Sequence, residues 1–209
     1  TVAEVGIGFC FAPVFHSGMR HAGPTRGELG VPTFFNFLGP LTNPARVTSA
    51  AIGCSDARMA PVMAAVLAER GDTALLFRGD DGLDELTTTT TSRVWIASGG
   101  AVSQTRLDPA EFGITAVSAE ALRGGDRVHN AAVAGEVLAG GAPQIRGAVL
   151  LNAAAAIAAF DGAEAGGVTV AGLHDAMLSG LAVAAKSIDS GAAAALLERW
   201  IASSQRARG

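Results

Sequence analysis

Apolar residues along this chain fall into short runs and helical stripes that trade places in order. Thr73 to Arg78 (TALLFR) is a run of strand length, closed by the turn residues Gly79, Asp80, Asp81 and Gly82, and reads as a buried strand. Val47 to Gly53 reads as another strand. Between them, Asp56 to Arg70 sets Met59, Val62, Met63, Val66 and Leu67 on one face, with Gly71 placed to end the helix. Strand, helix and strand in this order predict a βαβ unit. Arg93 to Ile96 and Val102 to Leu107 then flank Gly99-Gly100, which predicts an antiparallel hairpin closed by Asp108-Pro109. Five threonines, Thr87 to Thr91, precede it, and their β-branching predicts extended structure.

The last third carries helical spacing throughout. Asp126 is placed to cap a helix running to about Ala139. Ile145 to Phe160 is apolar nearly all round and predicts a core helix, with Asn152 a satisfied buried amide within it. Leu173, Met177, Leu181 and Ile188 mark a further helix, and Ser190 is placed to cap a final one carrying Leu196, Leu197, Trp200 and Ile201. The first third is less regular. Val5 to Phe11 reads as a strand, Ala12 to Ala22 as a short helix ended by Gly23-Pro24, and Gly39 to Pro44 as a shaped loop, because two prolines in six residues suit neither helix interior nor central strand. The expected fold is α/β: a single domain over residues 1–209, with a central, mostly parallel sheet, an antiparallel hairpin and flanking helices.

Composition narrows the class. Hydrophobic residues make up 49% and charged residues 16%, so the chain has the means to bury a core and is not of disordered type. The net charge of −4 argues against nucleic acid as a partner, which needs a basic surface. Only Cys10 and Cys54 are present, far apart, so no disulfide framework is expected and a reducing cytoplasm is the expected setting. No apolar run approaches the ~20 residues of a membrane helix, so no membrane partner is expected. The chain opens without Met on what reads as an internal strand, as expected of a piece of a longer polypeptide.

The chemistry gathers past the end of the TALLFR strand. Asp80, Asp81, Asp84 and Glu85 place four carboxylates within six positions. In open α/β sheets ligands bind outside the carboxyl ends of the strands. Adjacent hard oxygen ligands on a glycine turn suit Mg2+, which is held by one or two carboxylates together with substrate phosphates. Acids are also favoured in the first turn of a helix, so spacing alone leaves a solvated turn as an equal reading. His16, Met19 and Arg26 form a second group, in which the arginine can grip a planar carboxylate through two hydrogen bonds. A surface arginine, a half-buried histidine and a core methionine are the plainer account of each taken alone. No GxSxG, P-loop or GxGxxG occurs.

In sequence order, FCFAPVFHSGMRHAGPTRGELGVPTFFNFLGPLTNPA and GDDGLDELT resemble the C-terminal α/β part of the anthranilate phosphoribosyltransferase family, from about Val5 to Ile201. The resemblance implies a fold shared with nucleoside phosphorylases. It also implies transfer of the phosphoribosyl group of PRPP to the amino group of anthranilate, releasing pyrophosphate. Arg26 then matches the arginine at the anthranilate carboxylate, His16 and Met19 match positions lining the anthranilate channel, and Asp84 and Glu85 match the pair binding Mg2+ associated with PRPP. It implies no protein base and a homodimer for the longer chain. His16-Ser17-Gly18 departs from the family's His-Pro-small run. The family's GTGGD loop, its Lys-His-Gly-Asn run and its N-terminal helical domain have no counterpart in this sequence. The chain is therefore expected to be inactive alone. A pyrimidine nucleoside phosphorylase or a non-catalytic binding homologue of the same fold are the alternatives.

Overall fold

The structure, a computed structural model, describes residues 1–16, 18, 21, 23–31 and 33–207. Its centre is β2, Thr73–Gly79, whose side chains are buried on both faces. Period-two alternation sends Leu75 and Phe77 to one face and Ala74 and Leu76 to the other. β2 pairs in parallel with β1, Ser49–Gly53, and antiparallel with β3, Ser92–Ser98. β3 turns through Gly99-Gly100 into β4, Ala101–Leu107, so the sheet order is β1-β2-β3-β4. The α/β class and the hairpin stand as expected. The sheet is mixed rather than mostly parallel, because among the described residues one crossover helix contributes only one parallel pair.

That crossover is α5, Met59–Glu69, which lays Ala60, Met63, Ala64 and Leu67 on the Leu76 face of the sheet together with Trp95. Two long helices cover the opposite face. These are α7, Pro143–Glu164, and α8, Val170–Asp189, with α6, Arg127–Leu138, before them and α9, Ala192–Arg206, after. Leu151, Ala154, Ala155, Leu173 and Met177 meet Leu75, Phe77, Val94 and Ile96 in the main core. By length and composition alone α7 could cross a bilayer, contrary to expectation. One face of it, however, is packed into that core, while Val149 and Phe160 look outward. Asp126 caps α6 as expected, its carboxylate accepting from the backbone N–H groups of Val128 and His129 at 2.9 and 2.8 Å. At α9 the cap residue is Gly191, and Ser190 serves from one position further out, accepting from Ala192 N–H at 3.4 Å.

A smaller apolar cluster joins Val137, Leu150, Ala184 and Ile188 away from the sheet. Ile188→Ala is expected to cost about 2–5 kcal/mol through lost contacts and a residual cavity, read as a lower urea midpoint at unchanged slope.

The first third departs most from expectation. Val2–Val5 form a one-turn helix, α1, and Ile7 to Phe11 form no strand; Phe9 and Phe11 are exposed and stack on each other. Apolar alternation alone does not bring this segment to the open edge of β1 or β4. The predicted helix at Ala12 stops after one turn as α2, Ala12–Phe15. Gly23-Pro24 opens a helix instead of ending one, in α3, Gly23–Leu29, where proline in a first turn sacrifices no helical hydrogen bond. Gly39-Pro40, expected in a loop, lie inside α4, Phe35–Leu41. In so short a helix Pro40 removes a single bond, and the irregular chain begins only at Thr42.

Candidate functional site

β1 and β2 run parallel, with Gly53 at the end of β1 opposite Phe77, two residues before the end of β2, and the Cys54 N–H continuing the ladder to the Phe77 carbonyl at 2.9 Å. Beyond these ends the chain makes two loops, one into α5 and one through Asp80 to Thr91. Arg78 links them, donating from Nε to the Ser55 carbonyl at 2.7 Å and from Nη1 to the Gly79 carbonyl at 3.1 Å. A cleft of about 680 Å3 opens here, between Asn36, Phe37 and Pro40 on one side and Gly53, Cys54 and Asp84 on the other. Gly53 is obligatory, since a Cβ there would stand 1.5 Å from the Asp84 carbonyl oxygen.

The four carboxylates divide by partner. Asp80 accepts from Arg106 and Thr91. Asp81 accepts from the Leu83 N–H at 3.1 Å and from the hydroxyls of Thr87, at 2.7 Å, and Thr89. These two fasten the turn, in which Gly82 takes φ +102. Asp84 and Glu85 have no hydrogen-bond or ion-pair partner for their carboxylates among the described residues. Burial, then the Asp84 and Asp81 charges, push the Glu85 carboxyl above its ordinary value of 4.5. Uncompensated negative charge beside a strand-end cleft is the environment a divalent cation relieves. Among the described residues no three acidic, histidine or cysteine side chains converge, so the remaining ligands would be water and phosphate oxygens, as suits Mg2+.

A raised value in the folded state means that Glu85 favours the fold while protonated. That contribution is lost as pH rises from 4.5 through the folded value. The melting temperature of Glu85→Gln relative to the unsubstituted chain is therefore expected to rise with pH across that window in metal-free buffer. A pH-independent difference would count against it.

Of the other predicted group, only the side chain of His16 lies within the described residues. His16 lies half-buried at the end of α2 and does not line the cleft. Met19 lies outside the described residues. Arg26 falls within α3 by its backbone, and its side chain lies outside the described residues. Sequence reasoning missed the β1–α5 loop. Asp56 there is held down to about 2 by the Arg58 side chain and then the Arg58 backbone N–H. The glycine at the end of β1 was the one available signal. The threonine tract is not a strand but a series of hydroxyl donors. Asn152 is a satisfied amide as expected, though half-buried rather than buried, and its partners are the backbone groups of Leu86 and the Ala148 carbonyl.

The fold is that of a glycosyl transferase α/β domain. Residues 1–194 match the model of the "Glycosyl transferase family, a/b domain", and the chain belongs to that family. The chain is 57% identical over 204 residues to the anthranilate phosphoribosyltransferase of a Nocardioides species, covering 98% of this chain and 58% of that protein. It is 60% identical over 199 residues to that of Rhodococcus jostii, covering 95% and 54%. The crystal structure of anthranilate phosphoribosyltransferase from Thermus thermophilus superposes with a TM-score of 0.80 at 38% identity, covering 95% of this chain and 56% of that one. The Saccharomyces cerevisiae enzyme in complex with PRPP and Mg gives 0.73 at 28%, covering 92% and 51%. The chain thus spans about half the length of the relatives it matches.

Proposed function

We propose that this chain is the C-terminal part of a longer two-domain polypeptide that transfers the phosphoribosyl group of PRPP to anthranilate, releasing pyrophosphate. The observation that carries the reading is the Asp84–Glu85 pair, whose carboxylates have no partner among the described residues, with Asp84 lining the strand-end cleft. Likeness to relatives of that name supports it. Asp84 and Glu85 would hold Mg2+, which when bound would offset charge on the departing pyrophosphate. In the reaction the bond from the anomeric carbon to the pyrophosphate oxygen breaks and a carbon–nitrogen bond to the amine forms. Arg26 grips the anthranilate carboxylate, and His16 and Met19 line its channel. No side chain is assigned as a base. The longer polypeptide works as a homodimer in the cytoplasm and supplies most of the phosphate contacts, so the 209 residues alone do not turn over.

Loss of anthranilate fluorescence with PRPP and Mg2+ in the longer polypeptide tests the reaction. Consumption of a nucleoside with inorganic phosphate, and not of PRPP, would overturn it in favour of a phosphorylase. Arg26→Ala is expected to raise the KM for anthranilate by roughly tenfold to a hundredfold, the worth of a hydrogen bond to a charged group, and that for PRPP far less. Equal effects on both substrates would remove Arg26 from the carboxylate.

A further inference from the structure

Among the described residues Asp84 and Glu85 have no side-chain partners of their own, so what aims them there acts on the backbone around them. On one side the Asp84 carbonyl is seated against Gly53, in the space a Cβ would fill. On the other side is Leu86, the next residue after Glu85. Its N–H donates to Asn152 Oδ1 at 3.0 Å, and its carbonyl accepts from Asn152 Nδ2 at 2.8 Å. The same Nδ2 donates to the Ala148 carbonyl, one turn back in α7, at 2.9 Å. Both amide hydrogens and one lone pair of the amide oxygen are thereby engaged by backbone groups. From Gly147 to Phe160 it is the only polar side chain on the helix. It is half-buried, where an unmatched amide would carry a partial desolvation cost. Leu86, fully buried in the main core, fixes the other end of the same segment.

Resting on the metal reading above, we propose that Asn152 is a positioning residue for the acidic pair. Its paired hydrogen bonds to Leu86 carry the rigidity of α7 and the core into the segment bearing the Asp84 and Glu85 carboxylates. Groups that orient metal ligands from behind are worth about 10- to 100-fold in affinity when removed.

The test is binding of Mn2+, as a paramagnetic stand-in, with pyrophosphate present, followed by the loss of free-ion EPR signal on the longer polypeptide. Asn152→Leu is expected to weaken Mn2+ binding by about tenfold or more. Asn152→Ser, smaller and still polar, tests the same bonds with less disturbance of the core and should move in the same direction. Ile188→Ala, which lowers stability from a separate apolar cluster, should leave Mn2+ binding unchanged. Unchanged affinity in the folded Asn152 variants overturns the inference and leaves the metal site standing. Equal weakening in Ile188→Ala reduces it to general destabilisation and overturns it too. Absence of Mn2+ binding by the unsubstituted longer polypeptide overturns the metal assignment itself.

Discussion

Asp84→Asn is expected to remove most Mg2+-dependent turnover of PRPP in the longer polypeptide while leaving the fold intact. A metal that neutralises a leaving group contributes several kcal/mol to the transition state, and each ~1.4 kcal/mol is tenfold in rate, so a loss on the order of a hundredfold or more is expected. The carboxylate makes no hydrogen bond or ion pair among the described residues, so its replacement breaks no structural contact there. The melting temperature should hold or rise, because a like charge beside Glu85 disappears. Activity falling together with stability would point to a structural role instead. An Mg2+ titration unchanged from that of the unsubstituted enzyme would sink the metal assignment.

Gly53→Ala is expected to be as damaging for the opposite reason. The substitution adds one methyl group, but it would stand 1.5 Å from a backbone oxygen, and neither backbone can rotate away as a side chain can. Overpacking typically costs about 1–3 kcal/mol, and a backbone collision of this kind belongs at or above the top of that range. Relief requires β1 and the acidic loop to separate, so the Asp84 carboxylate moves as well. Urea unfolding and Mn2+ binding should both deteriorate. Lowered stability with untouched metal affinity would show that the loop can yield elsewhere.

Legibility in the sequence followed the strength of local constraint. β2 was readable to within a residue because an apolar run buried on both faces and closed by a glycine-rich turn has few other solutions. α5, the hairpin and the Asp126 cap were readable for similar reasons. The first third was not. Val5 to Phe11 alternates like a strand, but a strand also needs a neighbour, and sequence pattern does not reveal whether one exists. Pro40 misled because the rule against proline in helices concerns interiors, and a seven-residue helix has almost none. In the site, the acidic pair was legible as chemistry. Its supports were not, since Gly53 and Asn152 reach it from 31 and 68 residues away, through contacts only the fold creates.

The five threonines look redundant when written as a string, yet they hold unlike posts. Thr87 and Thr89 donate to Asp81, Thr91 donates to Asp80, and Thr88 is buried with its hydroxyl unpartnered among the described residues. Composition at such a repeat carries little information, while position carries nearly all of it. Losing or gaining a single threonine would leave the tract looking unchanged to any compositional measure. It would nevertheless move every downstream hydroxyl to its neighbour's post and draw β3 out of step with β2. Copy number in this tract is therefore a structural parameter, held fixed by the carboxylates it serves.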